Sequence, residues 1–275
     1  MFDDERLIRL GLEEDIGNGD VTTEALVPDN AEGKAAIVAK EPLVVAGMAV
    51  ARRVFTTLDQ GLSFEFLCSD GDWLEKGTVI FNAAGNLRAL LTGERTALNF
   101  LQRLSGIATH TRQFVNSTHG KPVRITDTRK TAPGWRRLEK YAVRMGGGYN
   151  HRFGLYDGIL IKDNHIQACG GIRKAVDLAR RTKGHFLAIE VEVSNFEELQ
   201  EALASKVDII MLDNMNPAEI QKSVTIVDGR ASVEVSGGVT LDSIAQLAEN
   251  GVDIISIGAL THSARAVDIS MRVLT

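Results

Sequence analysis

The sequence predicts an α/β protein whose larger part is a parallel β/α barrel that binds phosphate. Three observations predict it. From about Pro122 onward, short β-rich runs alternate with helical stretches, the pattern of parallel β-α units. Six of these runs end in polar or glycine residues. A barrel gathers functional groups from all its strands at the C-terminal rim, whereas an open sheet places its chemistry mainly at one switch point. Finally, the last two runs, Val235-Ser236-Gly237-Gly238-Val239 and Ile257-Gly258-Ala259-Leu260, each carry glycine directly after a strand. Glycine lets backbone N–H groups approach a phosphate, and the helix that follows favours the anion. One such motif alone reads equally well as a tight turn; two on consecutive strands favour phosphate.

The elements follow in order. Leu7, Ile8, Leu10 and Leu12 mark a short N-terminal helix. Ala36–Ala39 and Leu43–Ala46 are short buried strands, and Gly47 hands over to a helix through Val50, Val54 and Leu58. Turns at Gly71-Asp72 and Lys76-Gly77 flank Trp73, and Thr78–Phe81 is another strand. Thr92 is the predicted N-cap of a stronger helix, in which Ala97, Leu98, Leu101, Leu104 and Ile107 recur at helical spacing as core. Arg95 then falls near the start of that helix, where a cation opposes the dipole, which points to another use for it. The barrel strands are Val123–Thr126, Ile159–Ile161, Ala188–Val191, Ile209–Leu212, Ser232–Val235 and Ile254–Ile257. Helices Ile172–Arg181, Phe196–Ala204, Pro217–Val227 and Leu241–Asn250 lie between them. Six clear strands predict a barrel smaller or less closed than the eight-stranded form.

Composition narrows the function. A chain of 275 residues has room for a barrel and a smaller companion domain. Its 44% hydrophobic and 24% charged residues are ordinary for a globular protein. The net charge of −5 argues against a general binder of nucleic acid or membrane surfaces. Cys68 and Cys169 form no C-x-x-C pair, so neither zinc nor a disulfide framework is signalled, and both read as reduced thiols of a cytoplasmic protein. The N-terminal stretch through Gly17 is acidic and amphipathic, without the basic and then apolar run of a signal peptide. No apolar run approaches a membrane span.

The basic residues concentrate in one place. Arg129 and Lys130 follow the first barrel strand, Arg152 follows Gly146-Gly147-Gly148, and Lys162 ends the second barrel strand. Four cations at one rim would repel one another without an anionic ligand, so the ligand should carry several negative charges, as phosphates plus carboxylates do. Glu192 and Asp213 end neighbouring strands and can bring two carboxylates to one hard cation such as Mg²⁺; alternatively they pair with Lys162 or Arg152. Glu190 shares a face with Glu192, two residues on. His151 and His165 have no third ligand at recognisable spacing, which favours hydrogen bonding over metal binding. Asp163 and Asn164 read equally well as turn residues.

At these motifs the chain resembles the quinolinate phosphoribosyltransferase family. The resemblance lies in Asp127-Thr128-Arg129-Lys130-Thr131 with Pro133-Gly134 and Leu138-Glu139-Lys140, in Gly146-Gly147-Gly148, in His151-Arg152, and in Ile161-Lys162-Asp163-Asn164-His165-Ile166. It extends from Glu14–Asp20 through Glu94–Asn99 to Gly258-Ala259-Leu260, essentially the whole chain. It implies an N-terminal α/β sandwich domain over residues 1–105, an incomplete phosphate-binding α/β barrel over 106–262, and a tail, 263–275, that returns to the first domain. It also implies a homodimer in which the N-terminal domain of one protomer covers the barrel mouth of its partner. The implied reaction joins quinolinate to phosphoribosyl pyrophosphate, with Mg²⁺, to give nicotinate mononucleotide, pyrophosphate and CO₂ in NAD biosynthesis. Carried over by motif, Arg129, Arg152, Lys130 and Lys162 hold the carboxylates of quinolinate, with Thr128 and His151 nearby and Arg95 reaching in from the partner. Glu192 and Asp213 bind the ribose hydroxyls and Mg²⁺, and together with Lys130 and Lys162 they make up the catalytic set. Ser236, Gly237, Gly238, Ser256, Ile257 and Gly258 hold the terminal phosphate. Two alternatives stand beside this one: a related transferase acting on another anionic heterocycle such as nicotinate, and a non-catalytic phosphoribosyl-binding barrel. The four-cation cluster weighs against the first, and retention of both Glu192 and Asp213 weighs against the second.

Overall fold

The computed structural model describes residues 4–182 and 186–274. Met1, Phe2 and Asp3 of the acidic N-terminal stretch and Thr275 of the tail lie outside the described residues. The first part of the chain runs through α1 (Asp4–Ile16), α2 (Val21–Leu26), β1 (Glu32–Ala39), β2 (Leu43–Val44), α3 (Met48–Leu58), β3 (Ser63–Phe66), β4 (Trp73–Leu74), β5 (Val79–Asn86) and α4 (Leu87–Ser117). β6 (Arg124–Thr126), α5 (Arg136–Met145), β7 (Ile159–Ile161), α6 (Asp163–Cys169), α7 (Ile172–Thr182), β8 (Ile189–Val193), α8 (Phe196–Ala204) and β9 (Ile209–Asp213) follow. The chain ends with α9 (Pro217–Val227), β10 (Ser232–Ser236), α10 (Leu241–Glu249), β11 (Ile254–Ser256), α11 (Ala259–His262) and β12 (Ile269–Leu274). Two compact units result: the described residues of Met1–Arg112, Thr131–Gly147 and Leu260–Thr275 form one, and those of Gln113–Lys130 and Gly148–Ala259 the other.

The first unit is built on an antiparallel sheet of order β12-β1-β5-β3. Ala35 to Ala39 of β1 are all buried, so this strand reads as a continuous apolar run, as a strand covered on both faces does. Phe55, Phe64, Phe66 and Phe81 pack as tilted or stacked ring pairs at centroid separations of 5.3–6.3 Å, within the range where such pairs attract. α4 buries Leu90, Leu98, Leu101, Leu104 and Ile107 completely or nearly so, each burial being worth about 1.5–3 kcal/mol. A side chain at Gly106 would collide with the Arg265 carbonyl; the tail segment before β12 lies directly against that turn of α4.

α4 departs from the expectation in one respect. It starts at Leu87 rather than after Thr92, because Asn86 supplies the cap: its Oδ1 accepts from the Ala89 N–H at 3.0 Å. The Thr92 hydroxyl instead donates to Asp20 Oδ2 at 3.1 Å.

The second unit holds one parallel sheet of order β6-β11-β10-β9-β8-β7. Consecutive strands from β7 to β11 are neighbours, and β11 pairs with the first strand, β6. A doubly wound sheet reverses direction at an internal switch point. This order instead progresses one way round, as in a barrel opened between β6 and β7. Tyr149 makes a parallel bridge with Thr126 at that open edge. Side chains also report the curvature. Glu190 on β8 and Glu234 on β10 are separated by a whole strand, which in a flat sheet means about 10 Å. Yet their carboxylate oxygens and one His151 nitrogen all lie within 4.8 Å of one another. The sheet therefore curls, and the inward faces of its strands form a polar interior.

Candidate active site

The basic edge is fixed from beneath by a motif residue to which the sequence assigns no role of its own. Asp127, just after β6, is fully buried. Its carboxylate accepts from Asn150 Nδ2 at 2.6 Å and from the His151 N–H at 3.0 Å, and its own N–H donates to the Tyr149 carbonyl. The segment carrying His151 and Arg152 is thereby tied to the turn after β6 that carries Arg129 and Lys130. Thr128 Oγ1 accepts from the Lys130 N–H at 3.0 Å, a local turn that sets the direction of Lys130.

Arg152 is incompletely partnered at this edge. Its Nη1 donates to the Gly158 carbonyl at 3.0 Å, while its buried Nε has no hydrogen-bond partner. Burial, followed by the positive charge of Arg129, pulls the guanidinium below its ordinary pKa; Glu190 and Asp157 oppose this. A buried donor without a partner costs free energy, and an anion is the ligand that would satisfy it and relieve the repulsion between the arginines.

His151 is the hub of a second group. Its Nε2 lies 3.1 Å from Glu190 Oε2 and 3.5 Å from Glu234 Oε1, and its Nδ1 accepts from the Arg152 N–H at 2.9 Å. An Nδ1 that accepts carries no proton, so the geometry assigns the Nε2–H tautomer. Burial and the neighbouring Glu190 raise the Glu234 carboxyl to about 7, with His151 and Ser256 drawing it down. These three side chains are also the grouping whose ligand atoms could meet at a metal ion. His151 thus has the further partners that spacing alone does not reveal. Glu234 lies two residues before Ser236 as Glu190 lies two before Glu192, so strand parity is the signal that finds both.

Lys162, Glu192 and Asp213 form the third group. Lys162 is the N-cap of α6, and its N–H donates to His165 Nδ1 at 3.0 Å, so His165 closes a capping box. The Lys162 ammonium pairs with Glu192, the partnership that the sequence leaves open. Glu192 and Asp213 line one cleft of ≈ 290 Å³ together with Asp163 and Ser194. Asp213 Oδ2 also accepts from Asn214 Nδ2 at 3.0 Å.

Ser236 ends β10, and Gly237 and Gly238 open the loop that leads to α10. Gly237 has φ 96° and Gly238 φ 60°, in the left-handed region that favours glycine. A Cβ on Gly237 would strike the Asn214 side chain, whereas Gly238 has no heavy atom within 4 Å of that position. Ser256 is buried with its strand, Ile257 N–H donates to the Thr126 carbonyl at 2.9 Å, and Gly258 opens into α11. Arg95, in the other unit, is exposed on α4, two turns in from the start; the dipole argument for it therefore falls away.

The family model described as "Quinolinate phosphoribosyl transferase, C-terminal domain" matches residues 107–272, and its N-terminal counterpart matches residues 20–105. A Bacillus subtilis protein named as a probable carboxylating nicotinate-nucleotide pyrophosphorylase is 49% identical over 260 residues, 94% of this chain and 90% of that protein. A Synechocystis protein of the same name is 48% identical over 96% of this chain and 90% of its own length. The crystal structure of NadC from Streptococcus pyogenes superposes with a TM-score of 0.95 at 42% identity, covering 98% of this chain and 97% of that one. Among the described residues, no helix is long and apolar enough to cross a membrane.

Proposed function

The chain belongs to the quinolinate phosphoribosyl transferase family, and from this we propose that it joins quinolinate to phosphoribosyl pyrophosphate, releasing pyrophosphate and CO₂ to give nicotinate mononucleotide. The observation that carries the reading is the buried, partnerless Nε of Arg152 on an edge shared with Arg129. That edge suits a planar dianion, because arginine forks match carboxylates at two points.

Arg129, Arg152, Lys130 and Lys162 hold the two carboxylates of quinolinate on this reading, with Thr128 and His151 beside them. The glycine loop at Ser236–Gly238 and the turn at Ser256–Gly258 receive the terminal phosphate. Glu192 and Asp213 orient the ribose hydroxyls. As pyrophosphate leaves, positive charge develops at the ribose C1, and these carboxylates stabilise it. The pyridine nitrogen then bonds to C1 and becomes cationic. A cationic ring nitrogen stabilises the carbanion left when the adjacent carboxylate departs as CO₂, so transfer precedes decarboxylation, and a proton from Lys130, Lys162 or water then completes nicotinate mononucleotide. Glu192 and Asp213 also suit Mg²⁺: both are oxygen donors lining one cleft, as a hard cation prefers. When bound there, Mg²⁺ would offset the charge of the pyrophosphate.

Supplying quinolinate, phosphoribosyl pyrophosphate and Mg²⁺ should yield CO₂ and nicotinate mononucleotide in equal amounts. Nicotinate in place of quinolinate should be inert. Comparable turnover of nicotinate would overturn the assignment and favour a transferase for single-carboxylate substrates.

A further inference from the structure

We propose that Glu190 and Glu234, which lie below the predicted site residues, are positioning residues for quinolinate recognition: they clamp His151 from the barrel interior, and His151 in turn fixes the backbone of Arg152. The proposal rests on the reaction assigned above. It adds two residues that make no contact with the substrate.

The clamp is a continuous chain of contacts. Glu190 accepts from His151 Nε2 at 3.1 Å, Glu234 backs the same nitrogen at 3.5 Å, and the opposite ring nitrogen receives the Arg152 N–H at 2.9 Å. Both carboxylates are nearly sealed from solvent, Glu190 at 4% and Glu234 at 1% exposure. Each keeps a buried oxygen without a hydrogen bond, Glu190 Oε1 and Glu234 Oε1. Two buried acids are a poor way to fill a barrel core, since apolar residues of similar size are often as stable or more so. Their place therefore needs another reason, and the geometry supplies one. A histidine whose Nε2–H points at Glu190 must offer Nδ1 to the Arg152 N–H. Rotating the ring or moving its proton would break both bonds together. The same Glu190 charge favours the charged form of Arg152. The Arg152 backbone is thus held in place while its Nε waits for a ligand. The dianion then meets a preformed edge, and less ordering remains to be done on binding.

The inference separates from the assigned reaction in its tests. The first needs no substrate and no variant: ¹⁵N NMR of the imidazole of His151 in the wild-type protein. The Nε2–H tautomer is expected, and a dominant Nδ1–H tautomer would overturn the clamp whatever the enzyme catalyses. The second compares Glu190→Leu with Glu190→Gln. The glutamine retains an oxygen that accepts from Nε2–H, and the leucine does not. With leucine, KM for quinolinate should rise about tenfold, equivalent to about 1.4 kcal/mol. KM for phosphoribosyl pyrophosphate should stay within about twofold, a change near the noise of such contributions. Glutamine should restore most of the quinolinate affinity. Equal loss for both substrates would mark a merely structural role and overturn the proposal, as would wild-type kinetics in the leucine variant. Stoichiometric metal bound in the wild type and lost with Glu234→Leu would also overturn it, making the cluster a metal site. A wild-type protein inactive on quinolinate would refute the assigned reaction instead, leaving the tautomer result to decide the clamp.

Discussion

Lys162 stands where two charged groups meet. It follows β7, caps α6, and pairs with Glu192, whose carboxylate the proposed mechanism requires at the ribose. On the proposed mechanism the pair and the catalytic roles are successive: Glu192 is held by lysine until substrate supplies new partners for both. Removing the ammonium leaves Glu192 without that partner and quinolinate without one cation. For Lys162→Ala we expect kcat/KM for quinolinate to fall by about 10- to 100-fold, the range for a lost charge-assisted contact. The thermal midpoint should change little, because the lysine end of the pair is 45% exposed and solvent screens it. Wild-type steady-state kinetics would return Lys162 to an ordinary surface ion pair. At this scale the sequence shows the polar residues proposed to meet ligand: Arg129, Lys130, Lys162, Glu192 and Asp213 sit at or just after strand ends, and Arg152 follows a glycine run. It does not show the buried polar layer below them. Asp127 and Glu234 lie inside or next to β-rich runs, where a lone carboxylate looks like an interruption of the core. Their roles appear only when strands distant in sequence bring them partners.

Among the elements, the strands and helices with clear apolar patterns are legible: α8 and α9 fall on their expected spans, and all six barrel strands are found within two residues of theirs. α5 is not legible, because two of its buried positions are charged. Glu139 is fully buried and takes a hydrogen bond from Arg103 at 2.9 Å and one from the Ala132 N–H at 3.1 Å, so the helix buries carboxylate where periodicity looks for carbon. β3 is missed for the opposite reason: its residues are largely exposed at a sheet edge. The loop after β10 gives the test at this scale. Gly237 and Gly238 both have positive φ, but only Gly237 abuts Asn214. Gly237→Ala should therefore lose about 1–3 kcal/mol of stability, a usual cost for strained backbone, and should raise KM for phosphoribosyl pyrophosphate. Gly238→Ala bears only the left-handed penalty of about 1–2 kcal/mol. Urea unfolding and initial rates on both variants check the ranking; a Gly238 variant worse than the Gly237 variant on both counts would contradict it.

The whole molecule poses the question of Arg95. Strand alternation foretells parallel β-α units, but it cannot tell that β11 lies between β10 and β6, since neighbours across a sheet leave no local mark. Assembly is further still from the sequence: only the family resemblance speaks for a homodimer, with Arg95 serving the partner's site. The dipole motive for that role is gone, because α4 begins two turns before Arg95. What supports the role is that Arg95 is an exposed cation on a helix whose opposite face is buried. Arginine also suits it, since its planar fork grips a carboxylate at two points and lysine cannot; Arg95→Lys should therefore be nearly as damaging as Arg95→Ala. A surface ion pair with Glu94 or Asp20 would instead be worth little, and its loss would leave activity intact. The decisive measurement mixes two variants, Arg95→Ala and Lys162→Ala, each weakly active alone, and lets subunits exchange. If Arg95 acts across the dimer, each mixed dimer carries one site with both lesions and one with neither. Activity should then climb toward half that of wild type per mixed dimer. Mixed dimers verified by native mass spectrometry that stay as inactive as their parents would mean that Arg95 serves its own chain.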